Sequence, residues 1–237
     1  VQESAGHLLE DELGWHVELA YNTEVLGETG TFGRKSYKEI LLVKYFKQAL
    51  SKLNPWLTSA LLEDAIKTFE SHMSSASLMQ INEEKYRYIR DGIPVKVKKP
   101  NGQIEEKKTI VIDFNNPENN DFLAIKEMKI YGDLYRRRTD IVGFVNGIPL
   151  LFIELKKNSV DVQNAYIDNY TDYLDTIPHL FYYNTFLMLS NGTEAKVGTL
   201  GSEYEFFHEW KRLSEQEEGN VALETMLRGI CKKDNFL

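Results

Sequence analysis

Three residues in the second half of the chain have the types and spacing that metal-assisted hydrolysis of a phosphodiester requires. Asp140 is followed after 13 residues by Glu154, and Lys156 comes two residues later. Carboxylates supply the hard oxygen ligands that Mg²⁺ prefers, and the metal lowers the pKa of a bound water. A neighbouring lysine can orient that water or stabilise the negative charge that develops. We therefore interpret the three residues as a candidate hydrolytic site.

The spacing alone is not specific, because many ordinary strands end in a solvated, salt-bridged Glu-x-Lys sequence. Side chains alternate between the two faces of a strand, so Glu154 and Lys156 are expected to project from the same face. The apolar residues Leu151, Ile153 and Leu155 then point into a core. A glutamate and a lysine on an otherwise apolar strand need a reason, and catalysis supplies one.

The turn between the two strands decides whether the carboxylates meet. A strict two-residue turn at Asn146-Gly147 would place Asp140 opposite Ile153, on the face away from Glu154. A three-residue loop of residues 146–148, with its glycine in the left-handed region and a bulge beside it, would place Asp140 opposite Glu154. We predict the bulged form or an equivalent one-residue offset.

Apolar periodicity and turn residues predict the elements that must position these residues. Predicted helices lie at about 2–13, 37–53, after a Thr58 cap to about 69, 83–91, 161–175 and 220–231. Predicted strands lie at 93–97, 109–113, 122–131, 140–145, 148–155, 181–189 and 195–200. This order favours an α/β domain with a mixed β-sheet flanked by helices and a helical insertion at about 37–91.

Length and composition limit the classes of protein to which the chain can belong. The chain has 237 residues, a formal net charge of −8 and a single cysteine, which allows no internal disulfide. No apolar run reaches the roughly 18 residues of a membrane span, and the acidic N-terminal residues do not resemble a signal peptide. The negative charge argues against a domain that coats DNA by charge alone, but a metal site requires carboxylates.

Charged and glycine-rich segments leave alternatives open. Arg136-Arg137-Arg138 and Lys157 flank the candidate site, where they would hold phosphates or form a solvated face. The glycine-rich segment 27–36 lacks the Walker spacing, because Arg34 separates Gly33 from Lys35, and ATP binding there is rejected.

The run TDIVGFVNGIPLLFIELKK, followed by PHLFYYNTFLMLSNGTEAKVGTL, resembles the N-terminal nuclease domain of the motor (restriction) subunit of type I restriction-modification enzymes. The resemblance covers nearly the whole chain, including the early helix before Gly14-Trp15, Asn54-Pro55 and the segment 113–120. It implies a PD-(D/E)xK restriction-endonuclease-like fold.

The resemblance also implies roles for individual residues. Asp140 and Glu154 match the two metal ligands, aided by the backbone carbonyl of Leu155, and Lys156 matches the catalytic lysine. Glu3 lies where such nucleases often place a helical glutamate near the metal.

A further pair is expected on the helix that follows the lysine. The family has a glutamine followed four residues later by a tyrosine, and Asn169 and Tyr173 stand at that spacing here. The asparagine is one methylene shorter, and another register would use Asp168. Thr139 replaces the proline that usually precedes the aspartate.

The resulting expectation is an Mg²⁺-dependent endonuclease domain for double-stranded DNA at residues 1–215. Residues 216–237 would lead to a helicase-like motor, and ATP would be used only there. The expected partners are the modification and specificity subunits. No membrane association is expected, and the expected location is the cytoplasm. The alternatives are a catalytically inactive module of the same fold that docks DNA or a subunit, and a stand-alone repair or junction nuclease.

Overall fold

The computed structural model describes residues 1–210 and 223–237. Its α-helices are α1 (Gln2–His7), α2 (Val43–Leu53), α3 (Ser59–Glu70), α4 (Leu78–Asp91), α5 (Thr171–Thr176), α6 (Leu223–Ile230) and α7 (Lys233–Phe236). The π-helical segment Leu8–Glu12 continues α1, and a second π-helical segment, Ala165–Tyr170, precedes α5. Short 3₁₀ turns lie at Pro117–Asn119, Pro178–Phe181 and Tyr204–Phe206.

The strands are β1 (His16–Leu19), β2 (Pro94–Lys98), β3 (Ile104–Lys108), β4 (Phe122–Lys126), β5 (Lys129–Tyr131), β6 (Arg136–Arg138), β7 (Ile141–Val145), β8 (Ile148–Leu155), β9 (Phe186–Ser190), β10 (Ala195–Gly198) and β11 (His208–Glu209). Seven of them form one sheet in the order β1-β4-β7-β8-β9-β10-β11. The pairs β1–β4 and β8–β9 are parallel and the others antiparallel. The predicted mixed sheet is confirmed, and α2–α4 form the predicted helical insertion between β1 and β2.

Two hydrophobic cores cover the two faces of this sheet. Alternate residues of each central strand enter opposite cores, as Ile141 and Val142 of β7 do. The insertion helices, α1, α6 and α7 cover one face. The α5 segment and the chain around residues 32–42 cover the other. Strand β8 is therefore buried on both faces, like a central strand of a layered α/β protein.

The β7–β8 hairpin differs in detail from the predicted form. Its turn has two residues, Asn146 and Gly147, with φ of 52° and 79°, and Val145 pairs with Ile148. The predicted three-residue loop is therefore wrong. The equivalent offset lies further along β8, where the register shifts by one residue at Leu150.

Tertiary contacts override local periodicity in the glycine-rich segment and the residues after it. The predicted helix at 37–53 begins only at Val43, because Leu42 has a non-helical backbone, with φ of −81° and ψ of 81°, and its N–H donates to the Gly147 carbonyl at 2.9 Å. In the glycine-rich segment, Arg34 is buried against Glu24 at 2.6 Å.

Three strand boundaries also differ from prediction. The predicted strand 122–131 is split at Glu127, which has a φ of 54°. The return strand of the β2 ribbon is Ile104–Lys108 rather than 109–113, where the Ile110 backbone bonds instead to the Asn54 side chain at 2.7 and 2.8 Å. Strand β9 starts at Phe186, after a 3₁₀ turn.

The C-terminal helices pack into the first core. Met226 and Leu227 of α6 are fully buried, and the Trp15 indole donates to the Cys231 carbonyl at 2.8 Å. The predicted boundary between residues 215 and 216 lies outside the described residues, as does the start of the predicted helix at 220–231. In the described part of the chain, no helix is long and apolar enough to cross a bilayer.

Candidate active site

The candidate carboxylates lie on neighbouring strands at one end of the hairpin. Ile141 pairs with Ile153, so the next step along the ladder places Asp140 opposite Glu154. Because side chains alternate along a strand, Asp140 and Glu154 project from the same face of the sheet as Phe152. Phe152 packs into the second core, beneath α5. The one-residue offset in β8 therefore brings the two predicted metal ligands onto one face.

Asp140 is held by backbone and side-chain contacts. Its Oδ2 accepts a hydrogen bond from the Leu155 N–H at 2.7 Å. Its backbone carbonyl accepts bonds from the Gln2 side-chain amide and the Glu127 N–H, both at 2.9 Å. Burial raises the pKa of Asp140, and the Leu155 N–H and Lys156 offset part of that shift.

Glu154 is almost fully buried, with 4% of its surface exposed. Its Oε2 has no hydrogen-bond partner among the described residues. Burial raises the pKa of Glu154 well above its ordinary value, and the neighbouring Asp140 carboxylate raises it further. Buried polar atoms are normally paired, so an unpaired carboxylate oxygen beside a second carboxylate fits a cation-binding position.

Lys156 lies at the end of β8, on the same side as Glu154. Its ammonium donates a hydrogen bond to the Asn169 side-chain oxygen, on the π-helical segment before α5. Lys156 and Asn169 also lower the pKa of Glu154. A widened helical turn that presents a polar side chain is frequent at functional sites. Asp168, the alternative to Asn169, is exposed.

Tyr173 is buried one turn beyond Asn169. Its hydroxyl donates to the Arg138 carbonyl at 3.1 Å, and its ring packs against Phe152 at 5.9 Å between centroids. Burial raises the pKa of Tyr173, and Glu154 raises it further. The tyrosine thus lies beside the carboxylate while its hydroxyl ties α5 to β6.

The N-terminal helix contributes a contact that the sequence did not reveal. Glu3 is exposed and pairs with Lys126 at 2.9 Å, a contact that lowers the pKa of Glu3. Its neighbour Gln2 instead reaches the backbone of Asp140. The auxiliary role of Glu3 stays a prediction. Helical periodicity marks the buried face of α1, but it gives no signal for a glutamine bonded to a distant backbone carbonyl.

The cationic side chains that were predicted to bind DNA differ in their surroundings. Arg137 forms a two-pronged ion pair with Asp172 of α5, at 2.5 and 2.8 Å. Arg138 pairs with Glu127 at 3.0 Å. Arg136 and Lys157 are exposed.

The arrangement offers two carboxylates for a cation and a lysine beside them. Within residues 1–210 and 223–237, no group of three or more His, Cys, Asp or Glu side chains has a metal-binding arrangement. Two carboxylates with additional water ligands are the usual protein contribution to Mg²⁺. The ligand role of the Leu155 carbonyl stays a prediction.

Comparison with known proteins gives consistent matches. The family described as type I restriction enzyme R protein N terminus matches residues 1–206. The chain is 30% identical over 234 residues to the type I restriction enzyme HindI endonuclease subunit of Haemophilus influenzae, covering 95% of this chain and 22% of that protein. It is 28% identical over 228 residues to the putative type I restriction enzyme MjaIXP endonuclease subunit of Methanocaldococcus jannaschii, covering 86% of this chain and 22% of that protein. The chain therefore spans about one fifth of the length of these relatives.

Proposed function

Because the chain belongs to the family of type I restriction enzyme R protein N-terminal domains, we propose that it is an endonuclease domain that hydrolyses double-stranded DNA with Mg²⁺. The observation that carries this proposal is the unpaired Oε2 of Glu154, buried across the hairpin from Asp140. A structural ion pair would place a cationic side chain at that oxygen. A nuclease of the PD-(D/E)xK kind reserves the position for a metal.

Each residue then has a definite task. Asp140 and Glu154 hold the cation, with the Leu155 carbonyl as a further ligand. When bound, Mg²⁺ stabilises charge on the scissile phosphate and lowers the pKa of water. Lys156 orients the attacking water or stabilises the developing negative charge. Asn169 fixes the lysine ammonium by accepting its hydrogen bond.

The remaining assignments concern the longer protein. We assign ATP-driven translocation to segments beyond this chain, and we expect the modification and specificity subunits of the same enzyme as cytoplasmic partners. Sequence recognition would belong to those subunits.

Plasmid cleavage by the full-length protein assembled with its partner subunits tests this function. Lys156→Ala should reduce cleavage by at least about a hundredfold while ATP hydrolysis stays unchanged. Lys98→Ala, which removes an exposed lysine from β2, serves as the control and should cleave normally. Equal cleavage by the two variants would support a catalytically inactive docking module instead.

A further inference from the structure

The two-stranded ribbon of β5 and β6 carries its cations on one face. Lys129 pairs with Arg138, and Tyr131 pairs with Arg136. Directly opposed residues in an antiparallel pair project to the same side, so these four residues share a face. We call this set, Lys129, Tyr131, Arg136 and Arg138, the ribbon face.

The opposite side of the ribbon is occupied by the rest of the protein. Ile130 is fully buried in the second core, and Arg137 is bound to Asp172 of α5. A side chain at Gly132 would meet the Thr176 carbonyl, so the ribbon tip packs closely on the end of α5. The side of the ribbon opposite the ribbon face is therefore packed against the rest of the protein.

Aromatic rings hold these cations in place. Arg138 and Lys129 lie over the Tyr21 ring, at 4.5 and 5.1 Å from its centroid. Arg136 lies over the Tyr131 ring at 5.0 Å and is exposed. Stacking of this kind restricts a flexible side chain while leaving its charge at the surface.

The ribbon leads directly into the candidate active site. Arg138 lies two residues before Asp140, and the Glu127 N–H between β4 and β5 donates to the Asp140 carbonyl at 2.9 Å. At about 3.3 Å per residue, Arg136 lies at most about 13 Å along the chain from Asp140. That distance keeps the whole ribbon face within reach of a substrate bound at the carboxylates.

We propose that the ribbon face binds the phosphate backbone of duplex DNA beside the scissile bond, without reading its sequence. This inference rests on the proposed nuclease function. In a chain with a net charge of −8, three ordered cations lie next to the site, and they outnumber the one carboxylate, Glu127, that pairs with Arg138. This local positive charge complements phosphates. Arg137, also predicted from sequence as a DNA contact, forms an ion pair that links β6 to α5, and its role in DNA binding stays a prediction.

A salt titration of DNA affinity tests the proposal. The chain is mixed with a fluorescently labelled duplex in EDTA, which prevents metal-dependent cleavage, and affinity is followed over a series of KCl concentrations. The triple variant Lys129→Ser, Arg136→Ser and Arg138→Ser should bind more weakly. Its plot of log affinity against log salt should have a slope smaller in magnitude by about two to three, roughly 0.9 for each phosphate contact.

A matched control removes the same number of charges from the other ribbon. Lys96, Lys98 and Lys108 are exposed on β2 and β3, and their replacement by serine should leave the slope unchanged. The single variant Arg136→Ser should reduce the slope by about one without disturbing the Glu127–Arg138 pair. The proposal would be overturned if the two triple variants lost equal slope, or if Arg136→Ser had no effect on the slope. It would also be overturned if the wild-type chain showed no measurable duplex binding, or if the ribbon face were needed to bind polyglutamate but not the duplex.

Metal binding separates this proposal from the nuclease assignment. The ribbon variant should bind Mn²⁺ as the wild-type chain does, in calorimetry without DNA. If the wild-type chain bound DNA through the ribbon face but bound no metal, the proposed function would be overturned. The ribbon face would then remain a DNA contact.

Discussion

Glu154 lies directly across the β7–β8 pair from Asp140, and the extra residue Leu150 in β8 puts it there. If Leu150 paired regularly with Gly143 and the register did not shift, the two-residue turn at Asn146-Gly147 would place Asp140 opposite Ile153. A bulge near an active site commonly re-aims a side chain in this way. Here it converts a regular apolar hairpin into one with two carboxylates on the same face.

Burial of the Glu154 carboxylate predicts a gain of stability when its charge is removed. In metal-free buffer at neutral pH, Glu154→Gln should raise the free energy of unfolding by about 1–3 kcal/mol, because a neutral amide avoids both the desolvation of a buried charge and its repulsion by Asp140. Chemical denaturation in EDTA measures it. Glu10→Gln, at an exposed position, is the control and should change little.

The pH dependence follows from the sign of the same shift. The folded pKa of Glu154 is raised above its ordinary 4.5, so the folded state retains a proton that the unfolded state releases. This contribution to stability is lost as pH rises from about 4.5 through the folded pKa. The advantage of Glu154→Gln should therefore grow with pH. A variant no more stable than wild type at neutral pH would mean that the carboxylate is already compensated.

The turn glycine of the hairpin predicts a second stability effect. Gly147 has a φ of 79°, and a Cβ there would lie 2.6 Å from the Leu42 carbonyl oxygen and 2.8 Å from the Phe46 nitrogen. Gly102 has a φ of 83° in the tip of the β2–β3 ribbon, with no atom within 4 Å of such a Cβ. Both alanine variants lose the backbone freedom of glycine, but only Gly147→Ala also displaces the start of α2.

Denaturation of the two alanine variants separates these contributions. Gly102→Ala should cost about 1 kcal/mol from the left-handed backbone alone. Gly147→Ala should cost at least about 2 kcal/mol more, as steric overlap in a packed region does. Equal losses would show that the contact between the turn and α2 contributes little to stability.

The buried thiol predicts how tightly the C-terminal helices are attached. Cys231 is fully buried, and burial raises the pKa of its thiol, which suppresses the reactive thiolate. In the folded chain it should react with a thiol reagent only through opening of α6 and α7. Trp15→Phe removes the hydrogen bond to the Cys231 carbonyl and should speed labelling about tenfold or more, whereas Trp56→Phe, at a more exposed tryptophan, should not. Immediate labelling of the wild-type chain would contradict the packing of α6 and α7 on the core.

Much of the fold follows from local sequence patterns. Thr58, the predicted cap, accepts the hydrogen bond that starts α3, and the apolar runs of β7 and β8 predict both strands. The helix predicted at 83–91 begins earlier, at Leu78, because the Ser77 side chain caps it. These features depend on residues close together in the chain. Local apolar patterns therefore predicted the two hairpin strands that position Asp140 and Glu154.

The remaining features depend on contacts between distant segments. Leu42 lies outside the helix because its N–H bonds to the hairpin turn, and Ile110 lies outside a strand because its backbone bonds to the Asn54 side chain. A one-residue offset between β7 and β8 was predicted, but its position at Leu150 was not. Several forms of the hairpin place Asp140 opposite Glu154. The contact of Gln2 with Asp140 joins residues 138 positions apart, beyond any local pattern.

Calorimetric titration of the chain with Mn²⁺ or Mg²⁺ tests the central claim most directly. The wild-type chain should give a binding isotherm with one cation per chain, and Asp140→Asn or Glu154→Gln should abolish it while the circular dichroism spectrum stays unchanged. Absence of metal binding in the wild-type chain, or an isotherm retained by both variants, would contradict a shared cation site between Asp140 and Glu154.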